Sequence, residues 1–113
     1  MKYKEVNIKN GMPLVYQAVG RLKMEISSAK VTKTKVMKII HGYGSSGQGG
    51  KIKQGVLRLL NDYMRNKTIK CFVKGEDWSI FDNTSRNILD KFPGMKKDED
   101  LDRKNYGITI VLL

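Results

Sequence analysis

The chain has 113 residues and carries 22 Lys and Arg against 11 Asp and Glu, a net charge of +11. That length suits one domain and excludes a two-domain enzyme. A content of 40% hydrophobic and 29% charged residues excludes a wholly disordered basic tail. No apolar run is long enough to span a bilayer, and the first residues lead into no secretion-signal core. The single Cys71 can neither staple an extracellular framework nor hold zinc. One basic cytoplasmic domain, residues 1–113, is expected.

The charge is uneven. Residues 1–70 hold 15 basic and 3 acidic side chains, whereas residues 71–113 hold 7 and 8. An excess of cations gathered in one part of a fold attracts polyanions, DNA and RNA among them. Its plainer use is solubility. No membrane partner is expected, because neither candidate helix joins a wide aromatic face to a lysine-rich one.

In chain order, Lys4 to Lys9 alternates in part, with Val6 and Ile8 on one side, and predicts a strand that Asn10-Gly11 breaks. Pro13 suits a first helical turn. From there Val15, Ala18, Val19, Leu22 and Ile26 recur on one buried helical face, which should end near Ser28-Ala29-Lys30. The apolar run Val36-Met37-Lys38-Ile39-Ile40 predicts an interior strand. Five glycines follow in the ten residues His41 to Gly50. A second helix then turns Ile52, Val56, Leu59, Leu60 and Tyr63 inward, with Lys51, Arg58 and Arg65 on one exposed stripe.

Ile69 to Val73 predicts a third strand and Gly75-Glu76-Asp77-Trp78 a turn. Asp82-Asn83-Thr84-Ser85 offers N-caps for a short helix through Phe92, stopped by Pro93-Gly94. Residues 95–106 are polar enough for a surface loop, so 74–106 reads as an inserted helix and charged loop. Gly107 opens a last strand, 108–113. The order β-α-β-α-β-β implies an α/β fold, a two-layer mixed four-stranded sheet with helices packed on it.

A strand, a glycine-rich turn and a helix offer free backbone N–H groups to an anion. Gly42, Gly44 and Gly47 satisfy G-x-G-x-x-G, but the acidic residue that a dinucleotide site needs after the next strand is absent, since Phe72-Val73-Lys74 stands there. A Walker loop with Lys51 as its lysine fails at Ser45 and Ile52. His41, the only histidine, either projects at the sheet's carboxyl edge toward a phosphate, as general base or acid, or pins the loop by bonding a carbonyl.

Ile39-Ile40-His41-Gly42-Tyr43-Gly44, then a glycine-rich turn and Ile52-Lys53, resembles the HGxG block and Leu-Arg pair of the small MutS-related (Smr) domain family. That resemblance implies a two-layer α/β domain similar to the C-terminal domain of a bacterial translation initiation factor. It implies DNA or RNA binding and, in many members, nicking of the strand in repair, recombination or RNA processing. His41, Gly42 and Gly44 match HGxG, and Lys53 stands where the arginine would be. Lysine keeps the charge without the bidentate fork.

There are two departures. The family's first-strand Leu-Asp-Leu-His-Gly falls at Val6-Asn7-Ile8-Lys9-Asn10, so Asn7 replaces the acid and Lys9 the histidine. The 74–106 segment is also longer than a simple connection. It contains Asp98-Glu99-Asp100 and Asp102, which are either solvated or, if turned to the site, able to hold Mg²⁺. Trp78, Phe81 and Phe92 are expected to anchor the insertion rather than stack on bases, while Tyr43 is the better stacking candidate.

The expected function is therefore phosphate binding by Gly42, Tyr43, Gly44, Gly47, Gly49, Gly50, Lys51, Lys53, Arg58 and Arg65, with His41 as the catalytic candidate. No resident metal or cofactor is expected, with Mg²⁺ or Mn²⁺ required only by an active nuclease. Three uses stay open: a nucleic-acid binder without strong cleavage, a DNA or RNA endonuclease using His41, and a module docking on a protein or ribosome through the insertion.

Overall fold

In the computed structural model, which describes residues 2–43 and 49–113, four strands and three helices form one α/β unit. The order is β1 (Tyr3–Asn7), α1 (Val15–Val31), β2 (Val36–Ile40), α2 (Gly49–Arg65), β3 (Cys71–Lys74), α3 (Asn83–Lys91) and β4 (Ile108–Leu112). Short 3-10 turns, Gly75–Asp77 and Pro93–Lys97, flank α3. Among the described residues no helix is long and apolar enough to cross a membrane.

The sheet runs β1-β2-β4-β3, with β1 parallel to β2 and β4 antiparallel to both of its neighbours. Side-chain alternation splits the strands between two cores. Val6, Ile8, Met37, Ile39 and Val111 pack under α1 and α2 with Ala18, Leu22, Ile26, Val56 and Leu60. Val36, Ile108, Ile110 and Leu112 point the other way, to Trp78, Ile88, Leu89 and Met95. Sheet, α1 and α2 thus make the two expected layers, and the 75–105 segment covers the opposite face as a third.

Local chemistry sets the boundaries. The N–H of Leu14 donates to Oε1 of Gln17 at 2.9 Å and starts α1, so Pro13 precedes the cap instead of sitting in the first turn. The helix runs to Val31, a little past the expected end, where the Thr32 hydroxyl bonds the Ala29 carbonyl at 3.1 Å. Asp82 caps α3 by accepting from the Ser85 N–H at 2.9 Å, as its residue type predicts. Gly75 is obligatory: a Cβ there would lie 1.9 Å from the Asn105 carbonyl oxygen.

The 95–106 stretch is mostly exposed, as a surface loop should be, but one side chain pins its acidic residues to the sheet. Lys38, in the middle of β2, is only 2% exposed. Its ammonium bonds Oδ1 of Asp98 at 2.8 Å and also pairs with Asp100. Trp78 donates its indole N–H to the other oxygen of Asp98 at 3.0 Å. A buried cation must be paired, so this stretch of acidic residues folds down onto the sheet. Burial works against the Lys38 charge, yet the bonds to Asp100 and Asp98 outweigh it and hold its pKa above the ordinary lysine range. The same pairing holds Asp100 below its usual value despite burial.

Candidate nucleic-acid interface

Parallel pairing of β1 with β2 sets Asn7 opposite Ile40, so the ends of both strands open at one edge. There the N–H groups of His41 and Gly42 both donate to the Gly107 carbonyl, at 2.9 and 3.0 Å. Gly42 takes a left-handed φ of +70°, and Gly107 lies against its Cα, an approach that two glycines permit. Gly49 and Gly50 open α2 beside this turn, with the Tyr43 carbonyl facing Gly50. Gly44 and Gly47 lie outside the described residues.

His41 is 0% exposed. Its Nδ1 is 2.6 Å from the Gly42 carbonyl oxygen and its Nε2 2.8 Å from the Thr109 hydroxyl. A carbonyl only accepts, so Nδ1 carries the proton and Thr109 donates to Nε2. Burial, aided by the nearby Lys53 charge, drives its pKa below the ordinary histidine value, while the bond to Gly42 opposes the shift. The ring is neutral near pH 7 and both nitrogens are engaged. This geometry fits the loop-pinning role. Thr109, which completes it, is a polar residue in an apolar strand, and that contrast was its only sequence signal.

Lys53 does not join the exposed stripe. Its ammonium bonds both Glu76 oxygens at 2.9 Å and the Tyr106 carbonyl at 3.0 Å, and it lies 5.1 Å from the Tyr106 ring centre. The expected phosphate cation is thus neutralised by a carboxylate. Glu76 is held below its usual pKa: burial pushes upward and the Lys53 hydrogen bonds prevail. Two residues from Lys51, Lys53 faces roughly the opposite side of the helix, toward the insertion. Lys51, Arg58 and Arg65 are exposed as expected. Arg65 meets Asp62 at 3.3 Å on the surface, a pairing of small energetic weight.

The positions of the first-strand departure do reach this edge. Asn7 spends its side-chain oxygen on the Lys9 N–H at 3.0 Å, and Arg21 holds the following turn through the Ile8 and Asn10 carbonyls. The acidic cluster does not. Asp98 and Asp100 serve Lys38, and among the described residues no three His, Cys, Asp or Glu side chains gather as a metal site. Of the three insertion aromatics, Trp78 and Phe92 pack into the second core, whereas Phe81 is 86% exposed and anchors nothing.

The sheet also separates the charge. Helices α1 and α2 carry 7 basic and 2 acidic side chains on one side, and residues 75–105 carry 6 and 8 on the other.

No protein-family model matches this chain, and no curated protein matches it by sequence. Among solved structures, the crystal structure of the Smr domain of Thermus thermophilus MutS2 covers 100% of this chain and 98% of its own, with a TM-score of 0.56 at 16% identity. This is the Smr fold. At that identity the likeness concerns architecture, and it extends over the insertion as well as the helix layer. Within the Smr fold, this chain joins the β1 and β2 ends at one edge and seals its only histidine beneath them.

Proposed function

We propose that this Smr-fold domain binds DNA or RNA through its phosphates, by way of the α2 stripe and the glycine turn before it, without phosphodiester cleavage at His41. The carrying observation is the charge division: without Lys53, which Glu76 neutralises, the helix layer still carries 6 basic against 2 acidic side chains. Lys51 and Arg58 have no carboxylate within ion-pair distance among the described residues. Backbone N–H groups at Gly49 and Gly50, in the first turn of α2, add partial positive charge. Gly42, Gly44 and Gly47 belong to the proposed cradle by their place in the sequence.

Against cleavage stand the engaged nitrogens of His41 and the Asn7 and Lys9 side chains at the first-strand positions. Asparagine does not take up a proton near neutrality, and lysine stays charged. A docking role for the insertion has one observation in its favour, the exposed Phe81 beside Ile80. It is the second reading.

Contact with three to four phosphates gives a log–log salt slope of about −3, a loss of roughly 60-fold in affinity between about 50 and 200 mM salt. Anisotropy titrations of labelled DNA and RNA across that range test this, and affinity that ignores salt refutes it. Incubation of plasmid and structured RNA with Mg²⁺ or Mn²⁺ tests the rest. Cleavage that disappears in His41→Ala would make the domain a nuclease.

A further inference from the structure

We propose that Tyr43 and Tyr106 form a stacking platform for an unpaired base, so that the domain selects single-stranded over duplex nucleic acid. This rests on the phosphate-binding reading above and adds the class of ligand. The two rings come from distant parts of the chain. Gly42 and Gly107 bring their backbones together, and the ring centres lie 5.9 Å apart at an interplanar angle of 45°. Both rings face solvent, with Tyr43 60% and Tyr106 48% exposed, and neither belongs to either hydrophobic core.

Tyr106 is held from two sides. Lys53, locked by Glu76, grips its carbonyl and lies close to its ring. On the other side, the Asn105 side chain accepts from the Gly107 N–H and donates to Asp100, which pairs with the buried Lys38. Tyr106, one half of the platform, is therefore set before a ligand arrives, and less ordering remains to be done on binding. The neutralised Lys53 acquires a purpose here as a positioning residue.

The platform also lies beside the phosphate cradle. The Tyr43 carbonyl is 3.5 Å from where a Gly50 Cβ would stand, in the first turn of α2. A strand whose phosphates track α2 would bring its bases past the two rings. Bases inside a duplex already stack on their neighbours, whereas an unpaired base has a free face, and stacking on tyrosine tolerates any base.

The test is anisotropy binding, repeated across about 50 to 200 mM salt, of three labelled probes: oligothymidylate, the same strand carrying an abasic position, and a hairpin duplex. Wild type should prefer the intact single strand. Tyr43→Ala/Tyr106→Ala should weaken it at least tenfold, within the roughly 5- to 150-fold loss typical per stacked base, while duplex affinity and the salt slope persist. Tyr43→Phe/Tyr106→Phe should bind as wild type does, and wild type should bind the abasic strand more weakly. Equal losses on single strand and duplex, or an abasic strand bound as tightly as the intact one, overturn the platform and leave phosphate binding standing. Wild type that binds no probe, or binds without salt dependence, overturns both.

Discussion

Replacing Lys38 with methionine keeps much of the side-chain volume in β2 and removes one ammonium. Asp98 and Asp100 then remain as neighbouring carboxylates with side-chain exposures of 8% and 16%. Breaking a buried pair by deleting one partner costs about 3–5 kcal/mol. Asp98 retains the Trp78 indole N–H and Asp100 retains the Asn105 amide, so the lower end, about 3 kcal/mol, is expected. For a domain of this size that lowers Tm by about 12 °C.

Urea unfolding with an unchanged m-value is the assay. Lys38→Met/Asp98→Asn/Asp100→Asn should regain most of the loss, because neutral amides no longer repel. The pH dependence supplies a second check. In wild type the Asp100 pKa is depressed, so its stabilisation is present above about pH 4 and fades as pH falls. In Lys38→Met the cation that depresses the Asp100 pKa is gone, so acid costs the variant less. The gap between the two proteins must therefore narrow in acid. A loss below about 1 kcal/mol for Lys38→Met, against the roughly 3 expected, or a triple variant no better than the single, refutes the ion pair as the clamp on 98–105.

His41 makes a separate pH prediction. Its pKa is depressed by burial, so the unfolded chain gains a proton near pH 6.5 before the folded one does. Stability should fall below that pH by about 1.4 kcal/mol per unit until the folded pKa is reached. His41→Gln should lack this slope just below about pH 6.5 in urea titrations, and parallel curves would show that the ring protonates in place. Gly75→Ala should cost about 3 kcal/mol or more, since its Cβ would strike the backbone oxygens of Asn105 and Ile108; a melting temperature within a degree or so of wild type would contradict the close approach. Lys51→Glu/Arg58→Glu should leave Tm nearly unchanged and flatten the salt slope on duplex DNA by about two units; an unaltered slope places the phosphates elsewhere.

What could be read in the residues followed how local the cause was. Ala18, Leu22 and Ile26 declare α1 because their spacing alone puts them on one face, and Asp82 declares the start of α3 by its type. The apolar strands Val36–Ile40 and Ile108–Leu112 were legible for the same reason. The fate of Asp98 and Asp100 was not, since their partner Lys38 lies about 60 residues earlier in a strand that reads as apolar. Lys53 misled similarly. Its helical position and charge suit a phosphate, and only the fold reveals that Glu76, 23 residues on, claims it. His41 stood at the predicted place on the sheet edge, but its burial depends on Gly107 and, in β4, on Thr109. Tyr106 carried no signal until Gly42 and Gly107 met.

The place of β4 governs the timing of assembly. The last strand in sequence lies between β2 and β3, whose neighbour it is on either side. A nascent chain that has reached Asn105 holds β1, β2 and the helices, yet its β3 has no ladder to join. The lower face of the sheet, where Trp78 and Ile88 belong, is then without Ile108, Ile110 and Leu112. Closure of the sheet, burial of the insertion and fixing of His41 by Thr109 all wait for the same five residues, Ile108–Leu112. Pairings this distant in sequence are slow to form, so the histidine edge and the platform beside it should appear together with the β4 ladder.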